Sequence, residues 1–296
     1  MHMSSSDEDD ALAASFMRSI WGDGPSRPPT PPEASPPQDV SFTFGDFTVT
    51  LVAGPANPGR TLSMIIWRGS LVMARAMLAM FSRGELGSDR TVLELGAGRG
   101  LCGLLAHQMG SSVCTTDCSY DGMVALLPSA LLALAGPAAV GYKWGETGGE
   151  LELRRHLWES DLPRSPGRGA PRHWSTHPAC AFGPAGRCPD LEPELTYDVL
   201  IASDCLYFTS QVGPLLATIA ARLSPGGIAI LTIVPRKSEW LLRAFLDAVM
   251  GAGLRLLSNV ATAVDPLDSH HLSSECVNET SIATGAVHLI KLVPRI

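Results

Sequence analysis

The chain has 296 residues, 45% of them hydrophobic and 17% charged, with a formal net charge of −7. That is enough apolar material for a large core, which excludes a wholly disordered chain, and an acidic balance that argues against general phosphate-backbone binding. The seven cysteines are odd in number and irregularly spaced, so they do not form a secreted disulfide framework.

Residues 1–40 read as a tail. Asp7, Glu8, Asp9 and Asp10 stand where a signal peptide would need a basic start, and PSRPPTPPEASPPQ follows at residues 25–38. Proline at that density favours extended chain, a flexible acidic and proline-rich tail or a docking segment for a partner that grips such chain. The tail holds seven acids against two arginines, so the body is close to neutral. The expected setting is cytoplasmic, with the nucleus also open, and no membrane span is expected. The uncharged run at 123–140 is broken by Pro128, Gly136 and Pro137, which fits a buried helix and a strand better than a span.

Order is expected from residue 41 to 296. Two β-prone runs around Gly45-Asp46 predict a hairpin over 41–52. Apolar spacing predicts a helix over 70–81. Strands then alternate with helices: strands at 91–95, 112–116 and 138–144, helices at 101–109 and 123–135. Residues 146–194, rich in Gly, Pro, Arg and His, read as a loop-rich insertion with one short helical piece near 151–158. The rhythm resumes with strands at 197–203, 228–234, 254–260 and 287–293, and helices at 212–223 and 239–250. The pattern implies a Rossmann-like α/β fold: a seven-stranded, mostly parallel sheet with helices on both faces, preceded by a β-hairpin. Ligands of such sheets bind at the carboxyl ends of the strands, near the switch in strand order.

The turn after the first parallel strand is ELGAGRGL, residues 94–101. Gly96, Gly98 and Gly100 let the backbone turn tightly and approach a ligand. A dinucleotide fingerprint would be G-x-G-x-x-G, and here the third glycine falls one residue early. Glu94 would repel a pyrophosphate and attract a cation. An adenosyl sulfonium amino acid fits that chemistry. Asp117, at the end of the next strand, is placed to accept hydrogen bonds from two ribose hydroxyls.

These residues resemble the seven-β-strand S-adenosylmethionine-dependent methyltransferases, and within them methyltransferase family 16, which contains protein-lysine methyltransferases. The resemblance rests on VLELGAGRGL at 92–101, on Asp204-Cys-Leu-Tyr207 after the strand YDVLIAS, on Lys143-Trp144-Gly145, on Trp67 ahead of the first helix, and on the LSPGG turn. It implies S-adenosyl-L-methionine as cofactor and a protein as substrate. It implies that Gly96, Ala97 and Gly98 line the methionine part, Asp117 holds the ribose, Trp144 and Ser203 border the adenine, and Trp67 closes the site. Asp204 and Tyr207 would stand at the mouth where a lysine amine enters. Arg99, and Arg68-Gly69 after Trp67, depart from the family pattern.

Other acceptors stay open: a histidine side chain, an N-terminal amine or a small molecule. So does a cofactor-binding scaffold without transfer. A nucleic-acid base is disfavoured, because Ser203 to Tyr207 lacks the Asn/Asp-Pro-Pro-aromatic pattern. His173, His177, Cys180 and Cys188 match no standard zinc spacing, so no metal is expected. Cys205 has no His–Asn partner pattern near it and reads as a buried thiol rather than a nucleophile.

Overall fold

Alternation along residues 40–51 produces strands β1 (Val40–Phe44) and β2 (Phe47–Leu51), paired antiparallel across Gly45 and Asp46. Phe42, Phe44, Val49 and Leu51 are buried on one face. The other face carries hydroxyl pairs, Ser41 with Thr50 at 2.9 Å and Thr43 with Thr48 at 3.1 Å. The computed structural model describes residues 39–52, 66–118, 126, 129, 151–162, 191–235, 239–262 and 286–295. The N-terminal tail and the four His and Cys residues of the insertion lie outside this set.

Helix α1 (Arg68–Ser82) starts two residues before the expected position and buries Leu71, Val72, Met73, Ala74, Met77 and Met80. The alternating unit follows: β3 (Thr91–Leu95), α2 (Leu101–Gln108), β4 (Ser112–Asp117), β5 (Leu151–Arg155), β6 (Tyr197–Ser203), α3 (Val212–Arg222), β7 (Leu223–Ile233), α4 (Trp240–Val249), β8 (Leu254–Thr262) and β9 (Val287–Pro294). The strands form one seven-stranded sheet in the order β5-β4-β3-β6-β7-β9-β8. Only β9 runs against its neighbours. The Rossmann-like expectation holds, hairpin included.

Successive residues of the central strands feed opposite layers, which is why their sequences are almost continuously apolar. Val92, Val199, Ile201 and Ile230 pack with α1, α2 and the hairpin through Met73, Met77, Leu104 and Leu105. Leu93, Leu200, Ala202 and Leu231 pack with α3 and α4 through Leu215, Ile219 and Phe245. Each fully buried side chain of this kind contributes about 1.5–3 kcal/mol. Among the described residues, no helix is long and apolar enough to cross a membrane.

One expectation is corrected. The sheet position beside β4 is held by Leu151–Arg155, parallel to β4; the strand expected at 138–144 lies outside the described set. The segment expected as a short helical piece is therefore a strand, and the insertion expected from 146 contains a core element. Leu151 and Leu153 are buried. Between and after them, Glu152 and Arg154 sit side by side with N–O 3.1 Å. Residues two apart share a face only in extended chain.

The chain moves outward from β3 to β4 and β5, then returns to place β6 on the other side of β3. The loops leaving β3 and β6 meet at that switch point, where sheets of this kind take their ligands.

Candidate active site

The loop leaving β3 needs glycine at three positions. Gly96, Gly98 and Gly100 have φ of +64°, +53° and +74°, the left-handed region that side chains disfavour. A Cβ on Gly96 would stand 2.7 Å from Cys205 Cβ and 3.5 Å from the Trp158 ring. A Cβ on Gly100 would overlap the Leu126 side chain. Ala97 N–H donates to the Thr116 carbonyl at 2.9 Å, and Gly98 N–H donates to Asp117 Oδ2 at 2.9 Å. Asp117 thus shapes the loop as well as ending β4.

Glu94 sits differently from its expected use. It is 3% exposed, and its Oε2 lies where a Cβ on Gly103 would fall, beside the Thr115 hydroxyl beneath α2. That oxygen has no well-formed hydrogen bond among the described residues, although the Cys102 and Gly103 amides and Thr115 act on its charge. Burial pushes its pKa up to about 8. At pH 7 Glu94 is mostly a neutral acid under the helix.

The second half of the site follows β6. Asp204 has φ +49°, the one non-glycine residue with positive φ among those described. It is 3% exposed, and its N–H donates to the Thr232 carbonyl at 3.0 Å. It does not cap the following helix, because the 3-10 turn there begins at Thr209 and α3 at Val212. Tyr207 and Phe208 donate their backbone N–H groups to Gln211 Oε1 at 2.9 and 3.1 Å, which fixes the turn. The Tyr207 ring meets the Trp67 ring edge-to-face at 5.9 Å. Two residues singled out from distant parts of the sequence thereby form one aromatic wall.

Gly69, one of the departures from the family pattern, has a structural reason. A Cβ there would stand 2.7 Å from both Asp204 Cβ and Thr232 Oγ1. The absent side chain lets the first turn of α1 press on Asp204. Ser203 was expected beside the adenine. Its hydroxyl donates to Ser70 Oγ at 3.1 Å and accepts from Thr232 at 3.3 Å, stitching β6 and β7 to α1. Trp144 lies outside the described residues. Trp158, just beyond β5, is the tryptophan the structure brings to the glycine loop, and the sequence reading missed it. Its signal was a Leu-charge alternation, LELRR, running into a tryptophan.

Arg99, the other departure, donates from Nη2 to the Val52 carbonyl at 2.9 Å and ties the loop to the end of the hairpin. Burial, then the charge of Asp204, push the Cys205 thiol well up, so it stays protonated and is no nucleophile. Among the described residues no cluster of three His, Cys, Asp or Glu could hold a metal.

The donor set is a carboxylate, glycine backbone and aromatic rings, with the loop's own cation committed to Val52. That set suits a phosphate-free adenosyl ligand carrying positive charge and does not suit a diphosphate. Gly96→Ala should weaken S-adenosylhomocysteine binding at least about tenfold and cost about 1–3 kcal/mol of stability from overpacking. Calorimetric titration and a thermal melt read both, and unchanged affinity would remove Gly96 from the ligand site.

Fold and site together define a doubly wound α/β protein with its candidate ligand site at the switch point. Residues 56–135 match the family model for lysine methyltransferases, methyltransferase family 16, bearing out the resemblance drawn from the motifs. That stretch includes Trp67, the glycine loop and Asp117, and stops before Asp204. The chain is also 29% identical over 185 residues to human methyltransferase-like protein 22, covering 61% of this chain. It spans 40% of that relative's length. Solved structures with a similar fold include a TehB-like SAM-dependent methyltransferase from Corynebacterium glutamicum, at 15% identity and TM-score 0.43 over 77% of this chain and 88% of that one. Another is a ribosomal protein L11 methylase from Lactobacillus delbrueckii, at 13% identity and TM-score 0.43 over 76% and 79%. A third is the [4+2]-cyclase SpnF, at 14% identity and TM-score 0.46 over 74% and 79%. Likeness at this level carries no argument about this chain's reaction.

Proposed function

We propose that the chain is an S-adenosylmethionine-dependent methyltransferase acting on a lysine side chain of a protein substrate. The observation that carries the reading is the juxtaposition of two features at one switch point. The left-handed glycine loop with Asp117 lies on one side, and Asp204 with Tyr207 and Trp67 on the other. The family match over residues 56–135 supports the lysine acceptor, and the name of the human relative supports methyl transfer only.

The bound cofactor would supply an electrophilic methyl group on a positive sulfur. The chain's residues would do the rest. Asp117 accepts from ribose hydroxyls while its Oδ2 keeps the Gly98 amide in place. The glycine loop lets its backbone approach the methionine part, and the Trp158 ring offers an apolar wall. Trp67 and Tyr207 exclude water from the amine's path. A lysine amine has a reference pKa of about 10.4, and a partly dry channel beside a positive charge lowers it. Asp204 would accept a hydrogen bond from the amine and so orient its lone pair for transfer. Holding both partners in line can supply about 7–11 kcal/mol of the barrier reduction.

The scaffold reading loses its main support. Arg99 is committed to Val52 and Gly69 is required by the approach of α1 to Asp204, so both departures have structural roles that leave the site intact. The test is transfer of a radiolabelled methyl group from S-adenosylmethionine into a cell lysate, followed by mass spectrometry of labelled proteins. Label on lysine is expected. Label on histidine, an N-terminus or a small molecule would move the acceptor, and no transfer with no cofactor binding would overturn the reading.

A further inference from the structure

The segment after β5 is bolted down by a buried ionic cluster that the proposed chemistry does not use. Trp158–Asp161 forms a 3-10 turn. The Arg222 guanidinium, at the end of α3 and 2% exposed, grips Asp161 with Nη2–Oδ1 at 2.6 Å and Nε–Oδ2 at 3.2 Å. Its Nη1 donates to the Glu192 carbonyl at 2.6 Å. His156 Nε2 stands 2.8 Å from Asp161 Oδ2, with both side chains buried. Burial pushes Asp161 up, and the hydrogen bonds from Arg222 together with the close His156 ring outweigh it and hold the carboxyl below its ordinary range, although the His156 Nε2 contact is not a well-formed hydrogen bond. The turn is pinned at its other end as well, because Thr218 Oγ1 donates to the Trp158 carbonyl at 3.3 Å. His156 N–H donates to the Asp117 carbonyl at 3.2 Å, so the cluster is also continuous with the residue assigned to the ribose.

A buried ion pair of this kind is weak evidence for stability, since an apolar trio of similar volume often does as well. Its geometry is better explained by what it fixes. The turn it holds carries the Trp158 ring to within 3.5 Å of the position a Gly96 Cβ would occupy, against Cys205 and the α3 side of the core. We propose that Asp161, gripped by Arg222 and His156, is a positioning residue that sets the Trp158 ring as the wall of the adenosyl crevice. The proposal rests on the methyltransferase reading for the ligand, but the placement of the ring does not depend on it.

The test uses full-length protein labelled with 5-fluorotryptophan and followed by fluorine NMR, the Trp158 resonance being identified by its loss in Trp158→Phe. Asp161→Asn should shift and broaden the Trp158 resonance while those of Trp67 and Trp240 stay in place, and should raise the Kd for S-adenosylhomocysteine at least about tenfold. Arg222→Lys keeps the charge but loses the two-pronged grip, so it should give the same displacement in smaller measure. Adding Trp158→Leu to Asp161→Asn should cost no further affinity, as expected of residues acting through one another. An unmoved Trp158 resonance in a folded Asp161→Asn would overturn the proposal. Collapse of all resonances in both variants would also overturn it, by making the cluster a plain folding element. If S-adenosylhomocysteine moves no resonance of the wild type, the methyltransferase reading falls, and the ligand-free spectra of the variants still decide the clamp.

Discussion

Asp204→Ala lowers methyl transfer by about 10³-fold or more while S-adenosylhomocysteine still binds within about threefold of wild type, the split expected of a group that acts on the acceptor and not on the cofactor. Asp204 follows the end of β6, next to Cys205, which meets the glycine loop, and beneath the first turn of α1. Its backbone supports the assignment. An aspartate can occupy φ +49°, but at a cost of about 1–2 kcal/mol that glycine would avoid. The position also does not cap α3, so helix termination does not account for the residue. Asp204→Gly should therefore keep or raise the melting temperature and still be inactive, the pattern left when strain is retained for function. Asp204→Asn separates the two contributions of the side chain. Partial activity would mean that accepting a hydrogen bond suffices, and complete loss would mean that the negative charge is needed. Near-normal turnover in Asp204→Ala would remove the residue from the reaction.

Much of this arrangement was legible in the sequence because it is local. The glycine spacing at residues 96–100 and the strand-to-helix rhythm each depend on neighbours a few residues apart, and backbone sterics turn them directly into structure. The third strand shows where local reading fails. The strand expected at 138–144 lies outside the described residues, and LELRRHLW reads locally as a helical piece. Pairing with β4 makes its first part a strand, with Leu151 and Leu153 in the core and the Glu152–Arg154 pair on the outer face. The partners of Ser203, Ser70 and Thr232, were not legible for a similar reason: they come from other elements. The Arg222–Asp161–His156 cluster has no sequence signature, since nothing in a lone arginine at a helix end reveals that it will be 2% exposed.

Glu94 gives the second large effect, on stability. An exposed glutamate titrates near 4.5, whereas burial pushes Glu94 up to about 8 in the folded chain. Between those values the folded state keeps a proton that the unfolded state releases. Stability is therefore fully present below about pH 4.5 and is lost as pH rises through about 8. At 1.36 kcal/mol per unit the loss has an upper bound of about 5 kcal/mol, reduced in practice by relaxation around the ionised group. Glu94→Gln has no proton to lose. Its denaturant midpoint should change little between pH 5.5 and 8.5, while that of the wild type falls, so the variant becomes the more stable protein at alkaline pH. Parallel urea melts at three pH values read the effect, and equal slopes for the two proteins would sink it. The same variant bears on the site. If an ionised Glu94 attracted the ligand's positive charge, Glu94→Gln would lose affinity at pH 7. A neutral acid locked under α2, its carboxyl turned toward Gly103 and Thr115, predicts S-adenosylmethionine binding within about threefold of wild type.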